Sequence, residues 1–215
     1  MNLKGKVFNF LGDSITEGHG TTAPEKRYFE IIKEKYALSK VNCCGISGSR
    51  IADQQKPDPS LTYDRYFASR ICEMEDADGV VVFGGTNDFG HGDAPIGTFS
   101  DKTPKTFYGA CHDLFLRLIE RFPGKPIVIM TPLHRTEEDD VRTKHGLDVT
   151  LKTYVDIIRE VAEFYALPVC DMYKISGLQP RVDVIKEKFV PDGLHPNDEG
   201  HEIIADRLGT FLENL

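Results

Sequence analysis

The chain has no excess of positive charge, no long apolar run, no paired-cysteine motif and no internal repeat, and each absence removes a class of protein. With 26 Lys and Arg against 34 Asp and Glu, its formal net charge is -8. Nucleic-acid surfaces rely on clustered Lys and Arg, so this balance argues against a nucleic-acid partner. It also disfavours a strongly anionic substrate, unless a local basic pocket overrides the average. No apolar stretch approaches the roughly 20 residues that span a bilayer, so no membrane span is expected. Lys4 and Lys6 precede Val7–Leu11, but that segment is too short and interrupted for a signal-peptide core, which points to a cytoplasmic, reducing compartment. Cys43, Cys44, Cys72, Cys111 and Cys170 form an odd set with no repeated spacing and no Cys-x-x-Cys. A disulfide framework, a zinc knuckle and a redox pair are therefore disfavoured, and most of the five are expected to be small buried hydrophobes. With no low-complexity tract or composition shift, residues 1–215 are expected to form one domain.

Five apolar segments read as strands: Val7–Leu11, Lys40–Cys44, Gly79–Phe83, Pro126–Met130 and Pro168–Cys170. Val80-Val81-Val82-Phe83 and Ile127-Val128-Ile129-Met130 are continuous rather than alternating, which suits strands buried on both faces of a parallel sheet. Helical patterns lie between them, over residues 24–36, 105–122, 148–165 and 198–212. Helices alternating with buried strands predict a three-layer α/β/α sandwich on a parallel sheet of about five strands. Residues 54–63, 90–103 and 132–146 read as long loops, a length that is often functional in a compact domain.

The residues that carry chemistry fall just beyond the predicted strands or at the last helix. Gly12-Asp13-Ser14-Ile15 follows the first strand, where ligands of parallel sheets bind. By itself Gly-Asp-Ser is a common turn with a helix cap. Asp192-Gly193-Leu194-His195 lies near the other end, and its spacing lets the carboxylate fold back on the imidazole. The aspartate can then hold the Nδ1 proton and leave Nε2 for a serine hydroxyl, which is a poor nucleophile until a base takes its proton. Taken alone, that segment too reads as a surface turn with Asn197 capping a helix. Gly45-Ile46-Ser47-Gly48-Ser49 follows the second strand and Gly84-Gly85-Thr86-Asn87-Asp88 the third. Acyl transfer needs preorganised donors for an oxyanion, and a bare glycine N–H and an asparagine amide are suitable ones.

These four fragments resemble the SGNH hydrolases, the GDSL-like esterase and lipase family, from residue 12 to residue 196. Ile15 stands where the family name has Leu. Gly45, Gly85-Thr86-Asn87-Asp88 and Asp192-Gly193-Leu194-His195-Pro196 match the remaining blocks. The resemblance implies a flavodoxin-like sheet, Ser14 as nucleophile, His195 as general base and acid, and Asp192 as its orienting carboxylate. It implies an oxyanion hole made by the N–H groups of Ser14 and Gly45 and the side chain of Asn87. No cofactor is implied, and the partner is a small-molecule ester.

Other patterns in the sequence compete with this one. Gly18-His19-Gly20-Thr21-Thr22-Ala23 matches the dinucleotide fingerprint, but it starts several residues after the first strand, and Asn42-Cys43-Cys44 lacks the acidic residue that would hold a ribose. Gly45-Ile46-Ser47-Gly48-Ser49 misses the last glycine of the Gly-x-Ser-x-Gly elbow, which leaves Ser47 as a cap or supporting hydrogen-bond group. His195 and His201 are six apart and do not share a helix face, while His91, His112, His134 and His145 are scattered, so no metal is expected. His201 reads as a solvated or packing residue. A non-catalytic carbohydrate-binding module on the same fold would not need Ser14, Asp192 and His195 together. The polar stretches 93–103 and 136–145 favour a short acyl group, such as acetyl, on a carbohydrate or other polar alcohol. Lysophospholipase and thioesterase activities are the alternatives within the family.

Overall fold

A computed structural model describes the whole chain, Met1–Leu215. Seven strands are present: β1 (Val7–Gly12), β2 (Lys40–Gly45), β3 (Gly79–Phe83), β4 (Ile127–Met130), β5 (Arg142–Lys144), β6 (Leu147–Val149) and β7 (Val169–Cys170). Five of them form a parallel sheet in the order β2-β1-β3-β4-β7, and β5 with β6 makes a separate antiparallel hairpin. Eight helices accompany them: α1 (Ser14–Glu17), α2 (Tyr28–Tyr36), α3 (Thr86–Gly90), α4 (Phe107–Arg121), α5 (Leu151–Phe164), α6 (Met172–Ile175), α7 (Asp183–Phe189) and α8 (Asp198–Glu213).

Side chains alternate across a strand, and here both faces of the sheet are apolar. Val80, Val82, Ile127 and Ile129 pack with Leu114 and Leu118 of α4 and Val155 and Ile158 of α5. Val81, Phe83, Val128 and Met130 pack on the opposite face with Phe29 and Ile32 of α2 and Ile204 and Leu208 of α8. Each large side chain fully buried in this way contributes about 1.5–3 kcal/mol. That burial makes three layers, as the uninterrupted apolar strands predict. The chain leaves β1 for β2 on one side and returns to β3 on the other. Hence β1 ends at the switch point where a parallel sheet opens a crevice.

Several boundaries differ from the sequence reading. The helix expected over 24–36 is a single 3₁₀ turn, Pro24–Lys26, followed by extended Arg27 at φ -65° and ψ 139°, and only then α2. The break follows from tertiary capture: the Tyr28 N–H donates to His201 Nδ1 at 3.1 Å instead of continuing a helix. The helix expected from Asp148 starts at Leu151, because Asp148 pairs in β6 and accepts from Thr143 Oγ1 at 2.7 Å. The stretch 132–146 is therefore not all loop. The cysteine expectation is also corrected, since only Cys111 and Cys170 are buried. Cys43 and Cys44 sit on β2, where the edge position overrides their apolar neighbours, and Cys72 lies on the outward side of a 3₁₀ turn whose Phe67, Ala68, Arg70 and Ile71 are buried.

Candidate active site

Ser14 occupies the first position of α1 immediately beyond β1. Asp13 caps this helix, its carboxylate accepting from the Ile15 N–H at 3.0 Å. Gly12 is required by close approach: a Cβ there would collide with Thr16 Oγ1 and come within 2.9 Å of the Phe83 carbonyl. The first helical N–H groups have no partner within a helix, so the Ser14 N–H is free for a ligand. Burial pushes the Asp13 carboxyl up to about 7, and the neighbouring Asp88 carboxylate adds to the shift.

His195 reaches Ser14 from the segment before α8. Its Nε2 lies 3.0 Å from Ser14 Oγ and its Nδ1 2.6 Å from Asp192 Oδ2. Asp192 Oδ1 also accepts from the N–H groups of Leu194 at 2.8 Å and His195 at 2.7 Å. One short turn thus fixes both the carboxylate and the ring it faces. The turn needs Gly193 at φ 81°, where a side chain would also strike Thr136. Asn197 does cap α8, accepting from the Gly200 N–H at 3.1 Å, so the turn and cap coexist with the contacts of His195 to Ser14 and Asp192. Burial holds the His195 imidazolium below its ordinary range despite the bond to Asp192, which favours the neutral ring at pH 7. Burial works to raise Asp192, but the backbone N–H and side chain of His195 outweigh it and keep the carboxylate ionised.

The donor groups are placed by the ends of β2 and β3. Asn87 is buried in the first turn of α3 and donates through Nδ2 to the Ser49 carbonyl at 3.1 Å, which uses one of its two amide protons. Gly45 does not fit the role expected for it. β2 has a neighbour on one side only, and the Ile46 N–H donates towards that neighbour, to the Gly12 carbonyl at 3.1 Å. Successive N–H groups of a strand point to opposite sides, so the Gly45 N–H faces the outer edge, where it supports the Cys43 thiol. Gly45 is required instead because a Cβ would run into the backbone of Thr16 and Glu17. Gly48, at φ 76° in the turn that follows, has an N–H without a protein partner, and the next residue holds Asn87.

A buried polar frame supports these groups. Asp88 accepts from the N–H groups of Ile51 at 3.0 Å and Ala52 at 2.9 Å, and burial pushes its carboxyl up to about 6. Arg70 donates to the carbonyls of Cys44 at 2.8 Å and Gly12 at 3.3 Å and to Ser49 Oγ at 3.1 Å, tying the ends of β1 and β2 together. Burial lowers this guanidinium to about 10. Ser49, not Ser47, is therefore the supporting hydroxyl, while Ser47 is exposed and only its N–H is engaged, by Glu17. His201 is buried and stacked on Tyr28, a packing residue.

Sequence reasoning passed over His19, whose ring centroid lies 4.2 Å from that of His195. The signal was there in Gly18-His19-Gly20, with both glycines at positive φ (105° and 96°), a conformation chosen for a close turn rather than for a dinucleotide.

Beside the donor groups runs a polar cleft of about 310 Å³ lined by Arg50, Gln54, Tyr63, His91 and Asp93 among others. Tyr63 borders Gly48, its Cβ 3.3 Å from where a side chain on that glycine would begin. Buried Arg50 is paired with Asp64 and donates through Nη1 to His91 Nδ1 at 2.9 Å, which leaves the proton of His91 on Nε2. The expected long loops contribute here: residues of 54–63 and 90–103 form the cleft walls.

Residues 10–203 match the GDSL-like lipase/acylhydrolase family. Among solved structures, a protein from Lactobacillus plantarum is 30% identical with a TM-score of 0.83, over 98% of each chain. An acetyl xylan esterase is 22% identical with a TM-score of 0.65, over 96% of this chain and 99% of that one. A lipase/acylhydrolase from Enterococcus faecalis is 20% identical with a TM-score of 0.64, over 97% of this chain and 96% of that one. The last two show likeness of fold. No curated protein matches the sequence significantly.

Proposed function

The chain belongs to the GDSL-like lipase/acylhydrolase family, and from that premise we propose that it is a serine esterase acting through an acyl-enzyme on short acyl esters of polar alcohols. The observation that carries the mechanism is the Ser14 Oγ to His195 Nε2 contact at 3.0 Å, with Asp192 on the opposite ring nitrogen. His195 takes the Ser14 proton as Oγ attacks the ester carbonyl. The same proton then goes to the departing alcohol oxygen, and in the second half His195 activates water against the acyl-serine. Asp192 keeps the proton of the resting imidazole on Nδ1 and stabilises the imidazolium. The N–H groups of Ser14 and Gly48 and the second amide proton of Asn87 receive the oxyanion, each donor being worth on the order of 10²-fold or more in kcat.

The basis for the substrate class is the cleft beside Gly48 and α3. Its walls offer guanidinium, carboxylate, amide and imidazole groups along one tyrosine, a lining suited to hydroxyl-rich alcohols and costly for a long acyl chain to enter. An ester panel tests this. Turnover of 4-nitrophenyl esters is expected to be highest for acetyl and to fall with chain length, and acetylated sugars are expected to be hydrolysed. A preference for acyl chains of eight or more carbons overturns the substrate reading.

The state of His195 predicts the pH dependence. A base whose protonated form is disfavoured by burial stays neutral to lower pH. The kcat/KM profile is therefore expected to rise with pH through a midpoint below the ordinary histidine value of about 6.5 and then to level off. A midpoint above 7 contradicts His195 as the base.

A further inference from the structure

His19 is exposed, has no hydrogen bond through its ring, and yet is held closely over His195. The loop that carries it is anchored at both ends. The His19 N–H donates to the Ser14 carbonyl at 2.9 Å, and Thr22 donates to the Asp198 carboxylate through N at 2.8 Å and Oγ1 at 2.6 Å. Gly20 lets the loop close on the other histidine, since a side chain there would strike the Pro196 carbonyl and approach His195 Cβ at 3.4 Å. Donor atoms of His19, Asp192 and His195 all lie within 4.8 Å of one another.

We propose that His19, Asp192 and His195 form a site for a divalent transition-metal cation of the zinc type, and that filling it switches the esterase off. Two imidazoles and one carboxylate are a donor set for zinc-like ions, whereas magnesium and calcium take oxygen ligands. Tetrahedral zinc needs donors about 3.3 Å apart, so the site forms by movements of up to about 1.5 Å, the larger part of which the exposed His19 side chain can supply. Asp192 faces Nδ1 of His195, so the cation that shares this carboxylate sits on Nδ1. The proton it displaces from Nδ1 moves to Nε2, which then donates to Ser14 and cannot act as a base. Asp192 turns from the ring to the metal, and no proton need leave the protein.

The binding half of this proposal is independent of catalysis, and the inhibition half rests on His195 being the base. The test titrates zinc chloride by calorimetry into Ser14→Ala protein, in a background with the exposed Cys43 and Cys72 replaced by serine so that thiols do not compete. One zinc per chain is expected, and adding His19→Ala is expected to weaken it by on the order of tenfold or more. In the active protein, zinc is expected to inhibit hydrolysis of 4-nitrophenyl acetate reversibly, with EDTA restoring it, and His19→Ala is expected to shift the inhibition curve by the same factor. Absence of stoichiometric binding, or equal binding with and without His19, overturns the site. Binding without inhibition overturns the switch. Loss of turnover in an otherwise zinc-free parent protein would count against the esterase reading alone.

Discussion

Replacing Ser14 by alanine is expected to lower kcat by on the order of 10⁶-fold, leaving only the rate that binding and oxyanion stabilisation can provide. The Ser14 hydroxyl has one hydrogen-bond partner, His195 Nε2, and holds no other part of the chain. Its removal therefore takes away the atom that forms the acyl bond without disturbing the cap at Asp13 or the sheet below it. Thermal unfolding and the far-ultraviolet spectrum should match the parent, while a fluorophosphonate probe that labels the parent should leave the variant unmarked. Parent-like turnover in this variant would remove Ser14 from the mechanism, whereas a folded parent that neither turns over esters nor labels at Ser14 would make a binding module on a hydrolase fold the better account.

Asp192→Asn is expected to cost about 10⁴-fold in kcat with little change in fold. The reason lies in how the carboxylate is shared. Oδ1 accepts from two backbone N–H groups and Oδ2 faces His195 Nδ1. An asparagine can satisfy the two N–H groups only with its carbonyl oxygen, which turns its NH₂ towards Nδ1. The ring must then accept there and carry its proton on Nε2, facing Ser14 with a donor where a base is needed. Steady-state kinetics should show the loss in kcat, and a nitrogen-15 spectrum of the histidine ring should show the exchanged tautomer. A variant with the Nε2–H tautomer and undiminished kcat would mean that His195 is not the base.

The legibility of the site divides along the same physical line. Ser14, Asp192, His195 and Asn87 could be named from the sequence because their chemistry is in the side chain and each lies at the end of an element whose pattern is strong. Gly45 and Gly48 could not be told apart in that way. Both follow the same strand, and the choice depends on which way an N–H points from an edge strand and on a turn at positive φ. His19 escaped because two glycines around a histidine look alike whether they cradle a phosphate or fold a ring onto a neighbour. The short helices α1 and α3 carry Ser14 and Asn87, yet at 4 and 5 residues they are too short to show a helical period. The hairpin of β5 and β6 was hidden for the same reason, its two strands being 3 residues each and largely exposed.

The sequence by itself determined the layered α/β fold and the acylhydrolase family. Continuous apolar strands have to be covered on both faces, and the family's short blocks are carried by residue identity at strand ends and before the last helix. Only the tertiary structure decided which backbone N–H groups are free, which cysteines are covered, and that His19 stands beside His195. Those outcomes depend on the relative direction of groups far apart in the chain, and residue order carries no direct record of direction.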